Sequence, residues 1–316
     1  MSVAVDSRPA GAGVGPEGVR PESADPEALG LEVRRLGGTI GAEVRGIDLR
    51  QPLDAATVAA IRRLWLDHKV LFFPGQHLEP HHQVALGRTF GDLTPAHPVV
   101  PGAIAEHPEV LVLDSHVTRD RDEYAWIRNR PRVEGWHTDV TFVETPPDGS
   151  ILSGRVIPEA GGDTLWADTQ AAYANLAPPL RRLVDELTAV HDGNATFGGF
   201  LARSHAIEWD GRRYDRLDPV EHPVVRTHPE TGRRSLFVNP GFTTHVVGLS
   251  RQESDGLLAL LYDHMTAPEH VVRHKWQAGD VAFWDNRSTL HYAAQDYGGA
   301  HRVMHRVTLR GSRPFR

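Results

Sequence analysis

The 316-residue sequence contains no cysteine. That absence removes disulfides, thiolate zinc sites, iron–sulfur clusters and thiol nucleophiles together, so metal chemistry here must use histidine, aspartate or glutamate. No run of 18 apolar residues occurs, and the N-terminus lacks the basic-then-apolar order of a secretory leader. No membrane association is expected, and the cytoplasm is the default compartment. A basic excess is missing too: 34 Lys and Arg face 41 Asp and Glu, a formal net charge of −7, which argues against nucleic acid as a partner. What is present is 40% apolar residues, enough for a sizeable core, and 19 histidines. With so many imidazoles, position and company must identify a ligand; His81, His82, His205 and His301 have polar neighbours and read as solvated.

Residues 1–30 are rich in Gly, Pro, Ala, Ser and Glu and nearly devoid of bulky apolar side chains, so a disordered tail is expected. From Leu31 the pattern changes. Residues 31–36 and 42–47 read as a hairpin around Gly37-Gly38. Asp54 reads as the N-cap of a helix carrying Val58, Ile61, Leu64 and Trp65 to about His68. Residues 69–73 read as a buried strand stopped at Pro74-Gly75, and residues 80–90 as a second amphipathic helix. Beyond residue 95, short apolar segments at 110–113, 141–143, 151–156, 224–227, 235–238, 281–284 and 302–309 are separated by Pro, Gly and Asp. Such spacing predicts a mainly β, double-sheet architecture with flanking helices at 168–176, 178–190 and 251–266.

The densest chemistry lies in Trp136-His137-Thr138-Asp139-Val140-Thr141-Phe142 and in Trp284-Asp285-Asn286-Arg287 leading to His291, Arg302 and Arg306. If residues 137–142 form a strand, His137 and Asp139 project from one face and can grip one metal ion. A closed antiparallel sheet could bring His291 alongside as the third ligand. Two histidines and one carboxylate leave an open hemisphere, which suits a non-haem Fe(II) oxygenase, whereas a closed structural zinc site needs four protein ligands. Taken alone, His-x-Asp also fits a strand histidine beside a surface aspartate. Arg302, Met304 and Arg306 alternate with Val303, His305 and Val307, so both arginines share one strand face. Buried, they would need anions, and a dicarboxylate cosubstrate plus an anionic substrate would supply two; facing solvent, they would need none. Because a boundary between His137 and His291 would split this site, residues 31–316 are expected to form one domain.

These segments, with Gly161-Gly162-Asp163-Thr164-Leu165-Trp166, His222-Pro223-Val224-Val225-Arg226, Val238-Asn239-Pro240-Gly241-Phe242-Thr243 and Met304-His305-Arg306, carry a resemblance along nearly all of residues 31–316. The chain resembles the taurine dioxygenase/alkylsulfatase group of Fe(II)- and 2-oxoglutarate-dependent oxygenases. The resemblance implies a double-stranded β-helix (jelly-roll) core, with His137, Asp139 and His291 holding Fe(II), and O2 and 2-oxoglutarate as cosubstrates. It implies that Arg302 and Thr164 meet the far carboxylate of 2-oxoglutarate. It places the acidic group of a small anionic organic substrate at Arg306, helped by His97 and the backbone amide of Val140, with Phe197 and Phe242 walling the carbon chain. A homo-oligomer, dimer or tetramer, is expected.

The sequence also departs from the taurine-specific pattern. That pattern carries a tyrosine three residues after the loop histidine and an asparagine four residues before the first ligand histidine; Val100 and Val133 stand here. Valines cannot greet an ammonium group, so an apolar substrate body such as an alkyl sulfonate or alkyl sulfate is favoured over taurine. Residues 114–134, with Tyr124, Trp126 and five arginines, form a longer segment suited to a larger substrate or to subunit contacts. Other readings are a tailoring oxygenase on a small acid or amine in secondary metabolism, a metal-binding jelly roll without catalysis, and a zinc hydrolase. The last two have no use for Arg302 beside Thr164.

Overall fold

Two sheets face each other across a buried aromatic layer. The computed structural model describes residues 25–100, 102–120, 135–201, 207–209, 211–214 and 216–316. The larger sheet holds β1 (Glu32–Arg35), β2 (Ala42–Arg45), β3 (Val70–Phe73), β4 (Leu111–Asp114), β5 (Gly149–Val156), β15 (Val281–Asp285) and β17 (Val303–Leu309), in the order β1-β2-β3-β15-β5-β17-β4. All pairings are antiparallel except β2 with β3. Opposite lie β6 (Thr164–Asp168), β14 (Val271–His274) and β16 (Thr289–Ala293), ordered β14-β6-β16, and β7 (Thr188–His191), β10 (Val220–Pro223) and β13 (Thr243–Val246), ordered β10-β7-β13. Two short hairpins complete the strands: β8 (Ile207–Trp209) with β9 (Arg212–Tyr214), and β11 (Val225–Thr227) with β12 (Arg234–Leu236). This is the jelly-roll core the sequence predicts.

Period-two alternation sorts each central strand between two cores. Leu71, Phe73, Ile151, Val281, Phe283, Val307 and Leu309 point outward, where α1 (Ala55–His68) and α2 (Pro80–Phe90) cover them with Ile61, Leu64, Trp65, Val84, Leu86 and Phe90. Val70, Phe72, Leu152, Ala282, Trp284 and Met304 point inward onto Trp166 of β6 and Trp276. Helix α1 starts where the Asp54 carboxylate accepts a hydrogen bond from the Thr57 amide at 2.7 Å, as its cap residue requires. The short α3 (Ser115–Asp120) follows β4, and α6 (Asn194–Leu201) follows β7. The helices α4 (Thr169–Asn175), α5 (Pro178–Asp185) and α7 (Arg251–Met265) flank the smaller sheets, where a further core gathers Ala172, Val184, Leu258 and Leu261.

Two expectations are corrected. The helix expected over residues 178–190 stops at Asp185, and Thr188–His191 is a strand paired with β10 and β13, because its β-branched residues fit a pleated ladder better than a helix. Residues 141–143 are a turn, not a strand. Of the expected tail, residues 1–24 lie outside the described residues, and Glu27–Leu29 forms a single 3₁₀ turn. Residues 121–134 and His205 also lie outside them. His81 is exposed, whereas His301 is half-buried against Asp114. No helix among the described residues is long and apolar enough to cross a membrane.

Phe283 stacks on Trp65 with ring centroids 4.4 Å apart and lies 5.0 Å from Phe90, joining α1 and α2 to the larger sheet. Phe283→Ala is expected to lower stability by about 3–5 kcal/mol, the usual cost of emptying an aromatic core site. Urea unfolding monitored by circular dichroism reads this, and a loss below about 1 kcal/mol, the range of a surface substitution, contradicts the placement.

Candidate active site

His137 and His291 meet because their backbones pair: His137 N donates to His291 O at 3.0 Å and His291 N to His137 O at 2.7 Å, leaving the rings 4.2 Å apart. His291 sits in β16, opposite Trp166 of β6. After His137 the chain does not continue as the expected strand. It turns through residues 139–142, with Val140 at φ 55°, a left-handed conformation that a β-branched side chain rarely takes. The turn brings Asp139 back toward both imidazoles, which strand alternation was expected to do.

Strain of this kind persists only where surrounding contacts over-determine it. Here His222 Nε2 donates to the Thr141 and Val143 carbonyls at 2.9 and 3.1 Å. Asn239 Nδ2 donates to Thr141 Oγ1 at 3.0 Å, and His191 Nδ1 lies 2.9 Å from the same hydroxyl. Thr138 Oγ1 donates to Thr289 O at 2.7 Å, tying the turn to β16. Two motifs picked out only by resemblance, around His222 and around Asn239, therefore hold the segment carrying Asp139.

One ligand atom each from His137, Asp139 and His291 falls within 4.8 Å of the others, the one cluster of three such groups among the described residues. Asp139 Oδ1 is 3.8 Å from His291 Nε2. His137 Nδ1 donates to Gly135 O at 2.9 Å, the outer contact expected of an imidazole that ligates through Nε2. Two imidazole nitrogens and one carboxylate, with no fourth such group joining them among the described residues, fit a divalent transition metal with an open face. Burial alone would raise the Asp139 carboxyl. The charges of Arg306, His291 and His137 and a hydrogen bond from Ser150 outweigh it and hold Asp139 well below the usual carboxylate range.

Thr164 shares the sheet of His291, and Arg302 meets the chain just before Thr164, at Gly162. Thr164 opposes Ala293 in β6, two positions from the Trp166–His291 pair and so on the same strand face, on the order of 7 Å along the strand. Its Oγ1 accepts from Trp276 Nε1 at 2.9 Å, so its own proton remains available for an anion. Arg302 is 8% exposed and donates through Nε to Gly162 O at 3.1 Å, with Tyr297 beneath its guanidinium at 5.9 Å. Gly162 has φ +73°, which favours glycine, and a Cβ there would also crowd the Arg302 side chain at 3.1 Å.

Arg306 and the apolar wall lie on another side. Arg306 Nη1 donates to Asp139 Oδ1, while its Nε is buried without a partner. His97, buried in its loop, packs 4.7 Å from Phe197 and 6.2 Å from Phe142, close enough for Arg306 and Asp139 to act on its charge. Its Nδ1 accepts from the Val99 and Val100 amides at 3.1 and 3.2 Å, so in the neutral ring the proton sits on Nε2. Val99, Val140, Phe142, Phe197, Trp209, Leu217 and Phe242 form one apolar cluster, and Phe242 meets His137 edge-on at 6.0 Å. The sequence residues His97, Val140, Phe197, Phe242 and Arg306 are thus brought together; Val133 lies outside the described residues. Sequence reasoning quoted Phe142 and Asn286 inside their motifs but gave them no role, and it missed Ser150 and Trp276, which carry no local signal.

Comparison with known proteins follows the same line. The sequence model described as "Taurine catabolism dioxygenase TauD, TfdA family" matches residues 32–308. The chain is 43% identical over 293 residues to an alpha-ketoglutarate-dependent sulfate ester dioxygenase from Pseudomonas putida, covering 92% of each. It is 43% identical over 290 residues to an alkylsulfatase from Acinetobacter baylyi, covering 89% of this chain and 85% of that one. A crystal structure of a taurine dioxygenase from Burkholderia xenovorans superposes with a TM-score of 0.76 at 41% identity, covering 90% of this chain and 91% of that one.

Burial pushes His97 down to about 3 and His222 down to about 4, and holds His191 well below its ordinary value of 6.5. The unfolded chain protonates these imidazoles near pH 6.5 while the folded chain keeps them neutral. The unfolded state therefore binds more protons as pH falls, and stability declines from pH 6.5 downward by about 1.4 kcal/mol per pH unit for each imidazole. Urea midpoints at pH 7.5, 6 and 5 are expected to fall steadily; an unchanged midpoint at pH 5 contradicts the buried, neutral placement.

Proposed function

The chain belongs to the taurine catabolism dioxygenase TauD, TfdA family, and from that membership we propose that His137, Asp139 and His291 hold Fe(II) while Arg302 and Thr164 bind the far carboxylate of 2-oxoglutarate. The protein is an Fe(II)- and 2-oxoglutarate-dependent dioxygenase of the taurine dioxygenase type. When bound, Fe(II) and 2-oxoglutarate supply the oxidising chemistry, in which O2 is consumed, the cosubstrate becomes succinate and carbon dioxide, and a substrate C–H is hydroxylated. Residues 31–316 act as one unit in this reading, since strands from both ends of that span share the larger sheet.

The prime substrate is an alkyl sulfate ester. The observation that carries this is Arg306, 8% exposed, with a buried Nε that has no partner, set beside an uncharged wall. Asp139 engages Nη1, and the remaining donors of the guanidinium fork, the unpartnered Nε among them, fit the tetrahedral oxygens of a sulfate group. His97, neutral with its proton on Nε2, adds a donor that does not compete for the negative charge. The wall of Val140, Phe142, Phe197, Trp209 and Phe242 suits a hydrocarbon chain and penalises the ammonium group of taurine or of an amine metabolite. The two relatives at 43% identity are named for sulfate ester and alkyl sulfate chemistry. Hydroxylation of the carbon that bears the ester gives a product that collapses to an aldehyde and free sulfate. The protein's own part is to place that carbon and exclude water.

With Fe(II) and 2-oxoglutarate supplied, alkyl sulfates are expected to release sulfate in equal amount to succinate, with taurine a poor substrate. Arg306→Met is expected to lower kcat/KM for the alkyl sulfate by about 100-fold, equivalent to roughly 3 kcal/mol for an unpaired buried charge. Ion chromatography for sulfate and succinate reads both. A preference for taurine, or no substrate-stimulated turnover with any alkyl sulfate, contradicts the assignment.

A further inference from the structure

The two carboxylate oxygens of Asp139 are treated differently by the fold. Oδ1 faces His291 Nε2 and Arg306. Oδ2 accepts from Ser150 Oγ at 2.6 Å, the length of a charge-assisted bond. Ser150 Oγ in turn accepts from Asn286 Nδ2 at 2.9 Å, and Asn286 Oδ1 accepts from Trp284 Nε1 at 2.8 Å.

The direction of this chain is forced. An indole N–H can only donate, so it takes the Asn286 carbonyl and leaves the amide nitrogen to donate to Ser150. The Ser150 hydroxyl, already receiving a proton, spends its own on Asp139. All four residues are at most 2% exposed, so water cannot substitute for any link. The anchors are rigid: Trp284 and Ser150 are cross-strand partners of β15 and β5 at the middle of the larger sheet. Asp139, in contrast, sits on a turn whose next residue is strained.

Resting on the reading of Asp139 as an Fe(II) ligand, we propose that the Trp284–Asn286–Ser150 chain reserves Oδ1 as the single metal-binding oxygen, keeping the carboxylate monodentate. Ser150, Asn286 and Trp284 are positioning residues in this account. Fe(II) held there would need room for 2-oxoglutarate and O2 beside the three side chains, and an aspartate using both oxygens would compete for that room. The Trp284-Asp285-Asn286-Arg287 motif thereby serves two directions, with Asp285 and Arg287 engaging His228, Glu230 and Asp148 instead.

The test uses Mn(II) on the full chain with 2-oxoglutarate, reading affinity and the number of exchangeable bound waters by electron paramagnetic resonance. Ser150→Ala is expected to lose one bound water as Oδ2 joins the metal, with Mn(II) affinity altered by about 10–100-fold, the usual effect of losing an outer contact. Ser150→Thr, which keeps the hydroxyl, is expected to behave as the wild type, and Trp284→Phe to shift in the same direction as Ser150→Ala by less. A purely structural role would lower the melting temperature without changing the water count. Wild-type affinity and water count in Ser150→Ala overturn the proposal, and if that variant fails to fold, unchanged values in Trp284→Phe do so. Failure of the wild-type chain to bind Mn(II) and 2-oxoglutarate would instead sink the functional reading beneath it.

Discussion

A carboxylate placed inside a barrel must be compensated there, and much of this structure answers to that requirement at Asp139. Desolvation opposes its charge, while two imidazoles, one guanidinium and one hydroxyl favour it, with the second group winning. The compensation is deliberately incomplete in one respect. Oδ1 shares its surroundings with Arg306 and His291, groups that also answer to a metal or to a substrate anion in the proposed reaction. Asp139 is held ionised with only two imidazoles grouped beside it among the described residues, whereas a closed structural zinc site needs four protein ligands.

The supports come from three directions that the chain brings together. From the larger sheet, β5 sends Ser150 to the carboxylate, and Asn286, just past the end of β15, donates to Ser150. The segments carrying His191, His222 and Asn239 clamp the turn that follows it. Pairing with β16 fixes His137 against His291. Several of these contacts use histidines that must stay neutral, which ties the integrity of the turn to pH. The proposed cosubstrate residues are held separately: Gly162 and Tyr297 orient Arg302, and Trp276 donates to the Thr164 hydroxyl. In the proposed function the two anions therefore depend on different neighbours, so substrate choice can vary without disturbing 2-oxoglutarate.

Much of the fold was legible because it rests on local rules. The Asp54 cap, the period of α1 and the apolar runs of β3, β5 and β15 each follow from side-chain type and spacing. The helix expected to continue past Asp185 was misread because Leu187, Thr188 and Val190 extend an apolar pattern whose pairing with β10 and β13 is non-local. The same limit applies at the site. His137, Asp139 and His291 were found together as expected, but by a turn with a left-handed valine, a conformation no propensity predicts. The partner of Trp276 lies 112 residues away and that of Ser150 11 residues away across a turn, so neither leaves a periodic mark.

The central claim is that His137 and Asp139, the chain-distant His291, and Arg302 serve one centre. Anaerobic titration of the Fe(II)-loaded chain with 2-oxoglutarate tests it most directly, because only direct chelation of iron by the keto acid yields a visible absorption band. The account predicts a saturable one-to-one band, absent in Asp139→Ala and shifted to at least about 10-fold higher 2-oxoglutarate in Arg302→Met, the scale of one charge-assisted contact. A wild-type chain without the band, or an Arg302→Met titration that overlays the wild type, would contradict it.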